Sequence, residues 1–287
     1  MIGRTLPLLL VAAALAVSAT ACGVASTIDP VAAAATKTER AGGVAMAMSM
    51  TFSVDGKKVT MSGHGAFDHQ QGEMDLDFSD LLRQSGVPAG AETTGKEIFL
   101  TESGSPIIYM ELPFVAGQLP GGKTWMRLNL EKAGRALGVD LSRLMNTSSQ
   151  NPGQTLDLLQ SKGDFAKIGK ETIDGAETTH YHGSIDLAKA ARAIGASPAV
   201  RHLIGLGAPA SVPVDVWVDG SGFVRRLQQR YDQAVGSTTL AVEMTLGMSD
   251  YGRAVNVSAP PTDQVFDATD VAVKAMRSQT TTTATTG

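Results

Sequence analysis

The chain has a single cysteine, Cys22, so no disulfide can form within it and any folded unit must be held by its core. Aromatic residues are scarce at 5% of 287, whereas Met occurs 12 times within a hydrophobic fraction of 43%. An interior built from such side chains is aliphatic and adaptable, because the unbranched thioether of Met fills irregular space. Positive charge is also in deficit. With 24 Lys and Arg against 28 Asp and Glu, the formal net charge is −4, and there is neither a basic patch for nucleic acid nor a polybasic stretch for anionic lipid. After residue 21 no apolar run reaches the ~20 residues that a spanning helix needs. G-x-S-x-G, H-E-x-x-H, P-loop and G-x-G-x-x-G signatures are missing, which leaves hydrolase, zincin and nucleotide readings without a starting residue. A non-enzymatic protein without a cofactor is expected.

What is present begins with Arg4 and an apolar run from Leu6 to Val17, followed by small residues. This is the pattern of an exported leader, assigned here to 1–21. Ala19, Thr20 and Ala21 before Cys22, with Gly23 after it, resemble the bacterial lipobox, although Ala19 stands where Leu is more usual. That resemblance implies a Cys22 thiol carrying a diacylglycerol, and hence a membrane partner reached through an N-terminal lipid anchor on the extracytoplasmic face. A soluble secreted protein cut after Ala21 is the alternative. Two acyl chains suit stable anchoring, since each buried CH₂ contributes ~0.8 kcal/mol and one chain holds only marginally. Small and Ala-rich, residues 22–38 read as a lipidated flexible tether, and the Thr-rich 278–287 reads as a disordered tail. The remaining 39–277 suits one large β-rich domain.

Within that domain Val44, Met46, Met48, Met50, Phe52 and Val54 alternate with small polar residues, the two-residue repeat of a strand with one apolar face. Asp55-Gly56 turns this strand back through Val59, Met61 and Phe67. Further strands follow at 73–78, 98–100, 107–110 and 124–130, then at 165–171, 178–185, 212–218, 223–231, 238–248 and 255–257. Short helices are expected over 131–137, 141–145, 154–160, 187–194 and 197–206, with Gly138, Gly163 and Gly195 as stops. The predicted class is α+β: a curved antiparallel sheet, an open half-barrel, whose concave face is covered by short helices. The helices at about 152–161 and 186–206 are bounded by glycines and read as a movable cover.

Three groups could carry chemistry. His180-x-His182 places two rings on one face of a strand, with His64 as a distant third metal ligand; two surface histidines are the simpler reading, so no metal is assigned. Glu73, Asp75 and Asp77 form an acidic row, most simply the solvated side of their strand. Trp125 and Trp217 each fall opposite their strand's aliphatic residues, where they pack under a covering element or mark a contact surface.

Gly122-Lys123-Thr124-Trp125, Ile168-Gly169-Lys170-Glu171 with Gly175 and Tyr181, Val214 to Asp219, and Asp250-Tyr251-Gly252 running to Pro260 together resemble the LolA-like lipoproteins, especially the LppX/LprG type of actinomycetes. The resemblance covers about 44–266. It implies an open half-barrel whose cavity holds acyl chains and a protein that shuttles or displays lipid in the cell envelope. The cavity wall it implies here is Met46, Met48, Met50, Phe52, Met61, Met74, Leu76, Phe78, Met126, Leu128, Val216, Leu240, Val242, Met244 and Leu246. Filled core packing is the alternative for the same side chains. A second functional reading on the same fold is an envelope sensor or interaction module that binds a partner protein; an enzyme using His180 and His182 has the least support.

Overall fold

The computed structural model describes residues 29–54, 56–86, 90, 92–112, 114, 117–137, 165–186, 210–235 and 238–275. Twelve strands form one sheet: β1 Gly43–Val54, β2 Lys57–Phe67, β3 Gln71–Asp77, β4 Thr94–Glu102, β5 Ser105–Glu111, β6 Trp125–Asn129, β7 Ala166–Ile173, β8 Ala176–Asp186, β9 Ser211–Asp219, β10 Val224–Val235, β11 Thr238–Arg253 and β12 Val265–Asp267. Their order across the sheet is β12-β6-β5-β4-β3-β2-β1-β11-β10-β9-β8-β7, open at both edges. The sheet is therefore two antiparallel meanders, β1 to β6 and β7 to β11, joined where β11 pairs with β1. Among the described residues only the β12–β6 pairing is parallel. This is the open half-barrel expected from the strand pattern.

Local chemistry sets the hairpins. Ser103-Gly104 and Asp174-Gly175 both take positive φ, at 50° and 81° and at 49° and 81°, the backbone of the two-residue turn whose twist matches that of paired strands. The β1–β2 register pairs Met50 with Met61 and Phe52 with Val59, so the alternating apolar positions share one face, called the inner face below.

Glycines curl the first meander. An added Cβ at Gly65 would lie 1.9 Å from the Glu73 carbonyl oxygen, and one at Gly63 would lie 2.8 Å from a Leu76 methyl and 2.9 Å from Met74 Sδ. The neighbouring strand folds over β2 at these points, which only a residue without a side chain permits.

Among the described residues, short helices flank the sheet, among them α1 Pro30–Arg40, α2 Ser79–Gln84 and α3 Leu130–Leu137, with one more helical stretch over 269–275. The first revises the expected tether. Residues 30–38 are helical and docked, because Asp29 caps the first turn by accepting from Val31 N at 2.8 Å and Val31, Ala32 and Ala34 are buried. Two further differences lie near the C-terminal end. Residues 255–257 make no strand; instead Gln71 holds them, donating to the Val255 carbonyl at 2.7 Å and accepting from Val257 N at 3.1 Å. The last strand is β12, beside β6. Helix α3 matches the expected 131–137, while the other expected helices, over 141–145, 154–160, 187–194 and 197–206, and with them the movable cover and the 278–287 tail, lie outside the described residues.

The core has three parts. On the inner face, Val31 and Ala34 of α1 pack on Val214, Val216, Val218 and Val224. Also inside, Met74, Leu76, Phe78 and Leu82 gather Met46, Met48, Met61 and Phe67. On the outer face Ile98, Ile107, Tyr109 and Trp125 are covered by Val257 and Val265.

Candidate functional site

Strand register assembles the inner face in transverse rows. One row runs Tyr181, Val216, Leu227, Leu246, Met48, Gly63, Leu76 and Gly95 across eight strands, from β8 to β4. A second runs Met248, Met46, Gly65, Met74, Glu97, Met110 and Met126, from β11 to β6. A third joins Gln229, Met244, Met50 and Met61, and a fourth Tyr231, Val242, Phe52 and Val59. Leu128 pairs with Ile108, itself opposite Phe99, and Leu240 pairs with Val54, so both share this face. Phe78 follows at the end of β3 and packs beneath α2. All fifteen residues of the expected cavity wall therefore lie along one surface.

They are not equally covered. Met74, Leu76, Phe78, Val216 and Val242 are buried. Met46, Met48, Met50, Phe52, Met61, Met126, Leu128, Leu240, Met244 and Leu246 are half-buried, each leaving apolar surface open on the same face. A contiguous surface of this kind costs free energy in water and marks a binding site more often than a finished core.

Between α1 and the sheet this face deepens into a half-open cavity of ≈ 300 Å³. Helix α1 supplies Val31, Ala35, Thr38 and Glu39; β1 supplies Val44 and Met46; the end of β2 supplies Phe67, with Asp68 and His69 just beyond it; Val216, Val224, Leu227 and Met248 close the other wall. Of the expected wall residues, Met46 and Val216 thus line the cavity proper; the other half-buried ones continue from it along the same face as an open groove, and Met74, Leu76, Phe78 and Val242 are packed beneath.

The composition of 22–38 concealed the α1 wall, although its signal is present: Asp29-Pro30 is a helix start, and Val31, Ala34, Ala35 and Thr38 recur at helical spacing. Helix α1 is fastened at its far end. Thr38 Oγ1 accepts from Val224 N at 3.0 Å, while Lys37 donates to the Ser221 carbonyl and lies 4.7 Å from the centre of the Phe223 ring. Phe223 stacks on Tyr251 at 4.3 Å, and the Tyr251 hydroxyl donates to the Val224 carbonyl. Burial pushes the Tyr251 phenol up to about 12, so it stays a neutral donor at physiological pH.

Polar candidates fall on the outer face. His180 Nε2 and His182 Nδ1 lie 2.7 and 3.0 Å from the same oxygen of Asp215, and His180 Nδ1 lies 3.1 Å from Glu171. Trp217 stacks on His180 at 4.4 Å and donates to Glu171 at 2.9 Å. Short-range spacing hid these carboxylates, which the neighbouring strands bring in. His64 sits apart, 3.9 Å from Asp75. Among the described residues no group of three or more His, Cys, Asp or Glu is arranged to hold a metal ion. The acidic row is bridged by Lys96, 3.3 Å from Glu73 and 3.5 Å from Asp75. Both tryptophans are buried against the outer side of the sheet, Trp125 within an apolar cluster and Trp217 within the histidine network.

No protein-family model matches the chain. It is 26% identical over 257 residues to an uncharacterised 31.2 kDa protein of Streptomyces griseus, covering 84% of this chain and 80% of that one. It is 27% identical over 150 residues to a protein of Streptomyces coelicolor described as a candidate lipoprotein, covering 51% of this chain and 43% of that one. Among solved structures it is similar to the Mycobacterium tuberculosis lipoprotein LppX, at 18% identity and a TM-score of 0.43, over 80% of this chain and 100% of that one. It is also similar to LprF of Mycobacterium bovis, at 11% identity and a TM-score of 0.38, over 81% and 96% of the two chains. What the chain shares with LppX and LprF at these identities is the fold.

Proposed function

We propose that this chain is a lipid-anchored protein of the extracytoplasmic membrane face that binds acyl chains along the inner face of its half-barrel and carries or displays them in the cell envelope. The observation that carries this reading is the row of half-buried Met side chains leading into the ≈ 300 Å³ apolar cavity under α1. A filled core would seal such side chains, whereas a wall for flexible apolar cargo leaves them open and adaptable. The name given to the S. coelicolor relative agrees with the anchor read at Cys22.

Organic extraction and mass spectrometry of the full chain, purified from envelopes without added lipid, test the reading. Acyl lipid in near-stoichiometric amount is the expected result. A folded protein that yields none, and takes up none from vesicles, returns the groove to the interaction-module reading.

A further inference from the structure

The rows of the inner face contain one acidic side chain, Glu97. Across the sheet it stands between Met74 of β3 and Met110 of β5, with Met126 next beyond; along β4 its same-face neighbours are Gly95 and Phe99. The adjacent Lys96 points the other way, to Glu73 and Asp75. Several other acids of the sheet have cationic or phenolic partners: Glu102 has Arg127 and Tyr109, Asp219 has Arg225, and Glu243 has Arg230. The Glu97 carboxyl has no hydrogen bond or ion pair with any described side chain or backbone group.

A carboxyl placed on an apolar wall without a partner costs stability, and a wall that only held alkyl chains would do better with Leu or Met there. The expense is offset when a ligand supplies the missing hydrogen bond. We propose that Glu97 is the specificity-determining residue of the groove, accepting a hydrogen bond from an uncharged hydroxyl or amide head group while the alkyl chain lies along the methionines beside it. This rests on the acyl-chain reading above and adds the head group to it.

Charge decides between head groups. An anionic one, such as a fatty-acid carboxylate, brings a like charge to Glu97 on an apolar wall with no cation in the same rows to offset it, so binding is opposed. A hydroxyl pairs with the carboxyl in either protonation state, since carboxylate and carboxylic acid both accept. Burial pushes the Glu97 carboxyl above the usual carboxylate range, in keeping with a group drawn away from water.

The test uses the full chain and N-phenyl-1-naphthylamine, an uncharged apolar fluorophore, displaced at pH 8 by 1-palmitoylglycerol or by palmitate. The two competitors share one acyl chain and differ in the head group. Wild type should prefer the glycerol ester by about tenfold, the scale of one hydrogen bond to a charged group. In Glu97→Gln the preference should shrink because palmitate gains; in Glu97→Leu it should shrink because the ester loses, each competitor being read against the fluorophore affinity measured for that same variant. An unchanged preference in both variants overturns the role of Glu97 and leaves the groove standing. A folded wild type that binds no fluorophore overturns the groove itself, and the Glu97 proposal with it.

Discussion

At the scale of single residues, the small ones shape this molecule as much as the large. Gly65 lies where β3 crosses over β2, and a methyl group there meets the Glu73 carbonyl oxygen at 1.9 Å and the Met74 Cα at 2.7 Å. Backbone cannot turn aside as a side chain can. Gly65→Ala should therefore cost about 2–4 kcal/mol and lower the melting temperature by roughly 2–4 °C for each kcal/mol. Gly169→Ala on the edge strand β7 is the control, because nothing lies within 4 Å of its added Cβ. Equal melting temperatures for the two variants would show that the sheet does not need this close approach. Sequence patterning marks the Met, Leu and Phe of the inner face well, since alternation alone sorts the faces. It says nothing of Gly63 or Gly65 as shaping residues, because a glycine in a strand reads only as a weakness until the neighbouring strand is seen above it. Glu97 is hidden for a related reason: Lys96-Glu97 in a short apolar strand looks like a solvated pair, and only the register with Met74 and Met110 puts the Glu inside.

Among elements, the strands are legible and α1 is not. Hairpin turns such as Asp174-Gly175 and two-residue apolar alternation locate most of β1 to β11, whereas the three-residue β12 has no period to read and pairs only because Val265 to Asp267 comes alongside β6. Helix α1 was masked by composition, since Ala-rich sequence suits a linker and a helix equally until something is there for it to pack on. That something is the β9–β10 wall. Ala34 is buried against Val214, Val216 and Val224, so Ala34→Glu forces a long charged side chain into a space sized for a methyl. The helix should undock, with a loss of about 2–4 kcal/mol. Faster amide hydrogen exchange at Val224, whose N–H is held by Thr38 of α1, would report the undocking directly. If that amide remains as protected as in wild type while the protein stays folded, α1 is not the cavity wall described above.

For the whole molecule, the docking of α1 would shorten the link between the sheet and the proposed lipid anchor at Cys22. Read as tether, residues 22–38 would let the domain roam; with α1 starting at Pro30, only residues 23–29 separate Cys22 from the docked helix. Seven residues span at most ~25 Å even when fully extended. An acylated Cys22 would thus hold the α1-walled cavity close to the bilayer surface, where cargo is concentrated and a second encounter is effectively intramolecular. Among the described residues no helix is long and apolar enough to cross a membrane, and the chain is acidic overall. Cys22→Ala should accordingly move the exported protein from the detergent to the aqueous phase on phase partitioning. The same variant should collect lipid from vesicles more slowly than wild type while its affinity for a free fluorophore is unchanged, because on the proposed reading the anchor supplies proximity and the groove supplies binding. Retention of the Ala variant in the detergent phase after export would locate the membrane contact on the half-barrel itself, most simply on the open Met face, and would turn the groove from a carrier's cavity into an insertion surface.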